Sequence, residues 1–133
     1  MITISTDKSK LQVDVIHQFL TTTYWATGRT LQEVKKTIET CFCFGVYLNE
    51  KQIGFARIAT DYTVFAYIMD VFILPEYRGK GYSKQLMKAI NEEPQLQSCN
   101  VWMLKTSDAH NLYKQFGYTE LKHPEKVMER LLK

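Results

Sequence analysis

The chain has 133 residues, 45% of them hydrophobic and 23% charged, with a formal net charge of +3. These values suit one soluble globular domain over 1–133 with a single core, and a charge this small and evenly spread argues against a nucleic-acid partner. No apolar run approaches membrane-spanning length, and Met1-Ile2-Thr3-Ile4-Ser5 lacks the basic and apolar regions of a signal peptide, so no membrane partner is expected and the cytoplasm is the expected compartment. An odd number of cysteines fits a reducing environment. Cys41 and Cys43 stand closer together than zinc-binding pairs do, so buried free thiols and no metal are expected.

In chain order, Ile2-Thr3-Ile4 alternates weakly, as a short edge strand would. Leu11, Val15, Ile16, Phe19 and Leu20 fall at helical spacing, with Asp7 or Ser9 placed to cap the start. The threonines at 21–23 and Gly28 end that pattern. Thr30 followed by Glu33 has the spacing of a capping box and opens a second helix with Leu31, Val34 and Ile38 on one face. Residues 41–48 and 53–60, separated by Asn49-Glu50-Lys51-Gln52, read as a β-hairpin. Residues 64–74 form the longest near-continuous apolar segment, which predicts a central strand covered on both faces. Asp70 lies within it, and a buried carboxylate must find a partner or change its pKa. A helix over 84–90, ended by Pro94, and a strand over 100–106 follow. That strand–helix–strand unit predicts a parallel pair, whereas the earlier strands are joined by tight turns and should be antiparallel. The expectation is an α/β (α+β) fold with a mixed sheet and helices on both faces.

Between the central strand and its helix stands Pro75-Glu76-Tyr77-Arg78-Gly79-Lys80-Gly81-Tyr82-Ser83. Gly79 and Gly81 permit backbone angles closed to other residues, the helix start presents unpaired N–H groups, and Arg78 and Lys80 add positive charge. Together these features make either an anion site or a solvated surface turn. The mononucleotide P-loop is excluded, because Gly81 is not followed by Lys and Ser or Thr; the dinucleotide fingerprint lacks its third glycine. Further on, residues 107–118 read as a capped amphipathic helix with Ala109, Leu112 and Phe116 on one face and Gly117 at its end. Tyr24 and Trp25 sit in an irregular connection, where they either cover the core or wall a substrate pocket.

The loop resembles the coenzyme A loop of the GNAT superfamily of N-acetyltransferases, whose signature is Gln or Arg, two residues, Gly, one residue, and Gly or Ala. Arg78, Gly81 and Ser83 occupy those places, the serine departing from the pattern. The downstream helix is similar to the GNAT C-terminal helix at Ala109, Leu112, Tyr113, Gly117 and Tyr118, with Thr106 where the family often has asparagine. Tyr24-Trp25-Ala26-Thr27-Gly28-Arg29, Gly54-Phe55-Ala56-Arg57 and Asp108-Ala109-His110-Asn111-Leu112-Tyr113 resemble a small subgroup of stand-alone single-domain members.

The resemblance implies a mostly antiparallel sheet of about six to seven strands with a parallel central pair, and an acetyl-CoA-dependent N-acetyltransferase. Acetyl-CoA would bind through loop residues Arg78, Gly79, Lys80, Gly81, Tyr82 and Ser83, main-chain groups of Val71, Phe72 and Ile73, and Asn111. Tyr113 would protonate the departing thiolate. Asp70 is the first candidate for the base, with His110 or Tyr67 behind it, and Tyr24, Trp25, Tyr67 and His110 are candidates for the acceptor site. The acceptor would be a primary amine of a small molecule or protein, attacked directly, and the chain a monomer or homodimer. The alternative is a non-catalytic acyl-CoA-binding module.

Overall fold

The computed structural model describes residues 1–132. One five-stranded sheet runs in the order β1 (Thr3–Ser5), β2 (Phe42–Leu48), β3 (Lys51–Thr60), β4 (Phe65–Ile73), β5 (Val101–Leu104). The first three pairings are antiparallel and β4–β5 is parallel, as expected for strands joined by turns and by a helical crossover respectively. Helices α1 (Val13–Leu20) and α2 (Leu31–Thr40) precede β2; α3 (Tyr82–Asn91) and α4 (His110–Lys114) flank β5 in the chain.

Apolar spacing assigns each helix a side. Ile16 and Leu20 of α1 and Val34 and Ile38 of α2 pack with Phe55 and Phe72 on one face. Leu86, Met87 and Ile90 of α3 pack with Phe44, Ile58, Ala66, Ile68 and Ile73 on the other. Thr30 and Glu33 form the capping box that starts α2, each side chain accepting the other's backbone N–H. Asp7 caps a short turn over Lys8–Lys10 instead of α1 itself.

Two expectations are corrected. The sheet has five strands among the described residues, where six to seven were expected. The segment after Tyr118 passes through a turn at Pro124–Lys126, where proline supplies no ladder N–H, and its later described residues join no strand. The α4 helix is also five residues long instead of spanning 107–118. Its start is held by Thr106, whose hydroxyl accepts the Ala109 N–H at 3.0 Å, and Gly117 at φ 96° ends the turn.

Two irregularities give β4 its uneven edges. Phe55 pairs with Phe72 and Arg57 with Met69, so Ala56 alone faces Asp70 and Val71, which is a β-bulge in β4. The parallel ladder with β5 ends at Ile68 and Leu104, leaving the rest of β4 without a partner on that side. On its other side β4 is tightly seated. A Cβ added at Gly54 would come within 2.7 Å of Ile73 Cδ1 and 2.9 Å of the Phe72 carbonyl oxygen. Gly54→Ala is therefore expected to lower stability by about 1–3 kcal/mol, the usual range for overpacking, in urea unfolding. An unchanged midpoint would show that β3 and β4 separate freely.

Candidate active site

The turn after β4 has backbone geometry that suits an anion. Gly79 and Gly81 have φ of 80° and 81°, conformations that side chains rarely adopt, and no protein atom lies within 4 Å of where their Cβ atoms would stand. Glycine is required there by backbone angle, and the space beside it is open. Helix α3 starts at Gly81 with no side-chain cap, and its first internal bond runs from Gln85 N–H to the Gly81 carbonyl. The N–H groups before Gln85 are thus available to an anion, aided by the helix dipole. A cavity of about 240 Å³ at this point is lined by Ile73, Tyr77, Arg78, Gly79, Gly81, Tyr82, Ser83, Lys84 and Leu112.

Six predicted residues meet in that cavity; Tyr77, Lys84 and Leu112 were not foreseen. Arg78 has a second task, since its Nε donates to the Ile73 carbonyl at 2.9 Å and its guanidinium lies 5.9 Å from the Phe19 ring centre. That bond removes one of the main-chain acceptors expected to face a ligand. Lys80 is exposed on the turn and Asn111 is exposed on α4, and neither lines the cavity. Val71 and Phe72 lie on the part of β4 beyond the β5 ladder.

Leu112 of α4 lines the loop cavity, whereas Tyr113 and His110 line a larger groove of about 1170 Å³ formed with β5 and the segment after Phe116. Tyr113 is half-buried and packs edge-on against Tyr118, with ring centres 6.1 Å apart. Burial, helped by the charge of Asp108, pushes its phenol pKa above the ordinary value near 10. Tyr67 stacks on Phe65 along β4, at 6.3 Å between ring centres.

Asp70 sits where the bulge distorts β4, with φ 54°, a left-handed conformation in which Asp is among the better-tolerated residues. Its Oδ2 accepts Arg29 Nη1 at 2.7 Å and Arg57 Nε at 2.8 Å; its Oδ1 accepts Trp25 Nε1 at 3.0 Å. Arg57 Nη1 also lies 3.3 Å from Cys41 Sγ. The expectation that Asp70 is the general base does not suit this geometry. Both oxygens already hold donors, and two of the three donors are guanidiniums. The structure assigns it instead to fastening the α1–α2 connection onto the sheet. Tyr24 and Trp25 belong to that connection and cross edge-on at 5.1 Å. The Tyr24 hydroxyl meets Ser107 Oγ at 2.5 Å, linking the connection to the β5–α4 loop.

Sequence reasoning did not place Arg29 and Arg57 together. The available signal was a charged residue inside each of two neighbouring predicted strands, Arg57 and Asp70, which burial obliges to pair.

Residues 39–120 match the acetyltransferase (GNAT) domain family. A protein of Gibberella zeae named as an acetyltransferase is 29% identical over 138 residues, covering 86% of this chain and 77% of its own. A solved structure from Xanthomonas campestris pv. campestris, assigned to the GNAT family of acetyltransferases, is 44% identical with a TM-score of 0.96, over 99% of this chain and 94% of that one. The fold recurs at a TM-score of 0.70 and 16% identity, over 99% of this chain and 97% of the other, in an acetyltransferase from Clostridium acetobutylicum solved with acetyl-CoA. Fold and motifs together define an acyltransferase. The chain belongs to the GNAT acetyltransferase family.

Replacing Asp70 by Asn would leave the buried Arg57 and its neighbour Arg29 without their anion. Asp70→Asn is expected to cost about 3–5 kcal/mol of stability in chemical unfolding, the range for breaking a buried ion pair. A loss below about 1 kcal/mol would mean that solvent already screens the cluster.

Proposed function

We propose that this protein is an N-acetyltransferase using acetyl-CoA as donor and a primary amine as acceptor. The observation that carries the reading is the junction of β4 with the turn over 78–83. An uncapped helix start and two left-handed glycines border open space, at the end of a strand whose outer edge is free. This combination suits an extended ligand with a pyrophosphate at one end. Gly79, Gly81, Tyr82 and Ser83 would hold the pyrophosphate, with Arg78 and Lys80 adding charge, and main-chain groups of Val71 and Phe72 would pair with the amide-bearing arm. Ser83 lines the cavity beside the glycines, so the departure from the family's Gly or Ala leaves the cradle open.

Bound there, the thioester supplies an activated acetyl group. The acceptor nitrogen attacks the carbonyl carbon, and an N–H of β4 beyond the bulge polarises the carbonyl oxygen. Tyr113 donates its phenolic proton to the departing thiolate. Its hydroxyl makes no hydrogen bond among those of the described residues, and its raised pKa keeps the proton available throughout the neutral range. With Asp70 engaged by two arginines, the amine enters as free base and its proton leaves to solvent. Retention of Tyr113 favours this reading over a module that binds acyl-CoA without chemistry.

Coenzyme A should bind in calorimetry where ATP does not, and acetyl-CoA with an amine should release free thiol. Tyr113→Phe should keep coenzyme binding and lose about 10²-fold in turnover, the lower range for an acid–base group. Equal turnover would remove Tyr113 from the chemistry. The pH profile adds a second check. A proton donor whose pKa lies above 10 stays protonated as pH rises, so kcat/KM should climb with amine deprotonation and show no falling limb below about pH 10. A descending limb near pH 8 would assign the acid to another group.

A further inference from the structure

The charge balance beside Asp70 narrows the acceptor, provided that the protein transfers acetyl groups to amines. Two of the carboxylates in the strands and turn of this part of the sheet, Asp61 and Asp70, are already committed by the fold, while Asp108, in the β5–α4 loop, stands by Tyr113. Asp61 Oδ1 accepts the N–H groups of Thr63, Val64 and Phe65 in the β3–β4 turn, away from the bulge. Asp70 is closed by Arg29, Arg57 and Trp25, and its side chain is 1% exposed.

The arginines are not balanced in return. Two guanidiniums share one carboxylate oxygen, and among the described residues neither has a second carboxylate within 4 Å. The cluster therefore carries an excess of one positive charge in a half-dry setting, where charge interactions are stronger than in water. Arg57 is buried and directs its Nε to Asp70 and an Nη to Cys41. Arg29 differs. Only its Nη1 appears in a side-chain hydrogen bond, and its side chain is 19% exposed. Its remaining N–H donors meet solvent beside Trp25, itself 44% exposed. A guanidinium with free donors in a planar fork, next to an aromatic surface, is suited to a carboxylate or phosphate.

We propose that the acceptor is an amine that also bears an anionic group, carboxylate or phosphate, held by Arg29 with Trp25 as the adjoining wall. Asp70 and Arg57 are positioning residues: Asp70 holds one end of the Arg29 guanidinium, Arg57 holds Asp70 in place, and the other end of Arg29 is left to the substrate. Diamines and polyamines, whose second group is cationic, are disfavoured by the same excess charge.

Matched acceptor pairs test this by thiol release from acetyl-CoA. Each pair differs in one anionic group: free amino acids against their amides, and O-phosphoethanolamine against ethanolamine, with putrescine as the cationic arm. The anionic member of at least one pair should exceed its partner by roughly 10- to 100-fold in kcat/KM, the worth of a charged hydrogen-bonded contact. The pair showing the effect tells carboxylate from phosphate. Arg29→Gln should collapse that ratio mainly through KM of the anionic acceptor, and Arg29→Lys should restore part of it. If Arg29 only latches the connection, Arg29→Gln would slow both members alike and keep the ratio, which overturns the proposal. Turnover with equal rates within pairs, or a preference for putrescine, overturns it while leaving acetyl transfer intact. Absence of thiol release with every amine removes the acetyl-transfer reading and this one with it. Should Arg29→Gln fail to bind coenzyme A or to fold, the ratios of the unaltered protein decide.

Discussion

The contacts of Asp70 with Arg29 and Trp25 join the α1–α2 connection to the sheet where no hydrogen-bond ladder reaches, and Arg57 of the neighbouring strand completes them. Asp70 stands in a bulged, left-handed position on β4, a conformation that costs on the order of 1–3 kcal/mol. Three donors on its carboxylate offset that strain. One comes from the neighbouring strand and two from the α1–α2 connection, so the carboxylate sets the strand distortion and the seat of the connection together. A hydrophobic contact could bury the same area but would not specify which residues of an irregular segment face the sheet. Directional, charge-assisted bonds do.

The bulge and the early end of the parallel ladder act in the same direction. Pairing between β4 and β5 stops at Ile68 and Leu104, while β4 runs on to Ile73. A strand edge left open inside a sheet is a place for an extended ligand, and the uncapped start of α3 lies at its end. The two ends of the site thus rest on different physics. The loop end is made of backbone, where glycine angles and helix N–H groups suffice and side-chain identity matters little. The end beside Trp25 is made of side chains, where two guanidiniums and an indole meet one carboxylate and residue identity matters.

Much of this was legible in the order of residues. The amphipathic stripes of α1, α2 and α3, the Thr30–Glu33 box, the hairpin of β2 and β3 and the parallel β4–β5 pair arise from periodicity, capping chemistry and connection length, all of which are local. The loop from Arg78 to Ser83 was legible for the same reason. Two glycines between a strand and a helix constrain the backbone wherever the rest of the chain goes. The length of α4 and the number of strands were not legible. A helix pattern at residues 107–118 competes with the bond from Ala109 to the Thr106 hydroxyl, and strand formation after Tyr118 depends on finding an edge in the right register.

Asp70 separates local from global information most clearly. Its place in the order of residues is enough to say that a carboxylate is buried in a central strand and needs partners, because burial of an unpaired charge is too costly. The glycine turn after β4 and the family to which the chain belongs are written in the same local way. Which donors answer Asp70, and whether its oxygens stay open to any other group, depend on a strand register and on a loop returning from 41 residues earlier in the chain. Such distances are set by packing of the whole domain. That packing turns a candidate base into the anchor of Arg29.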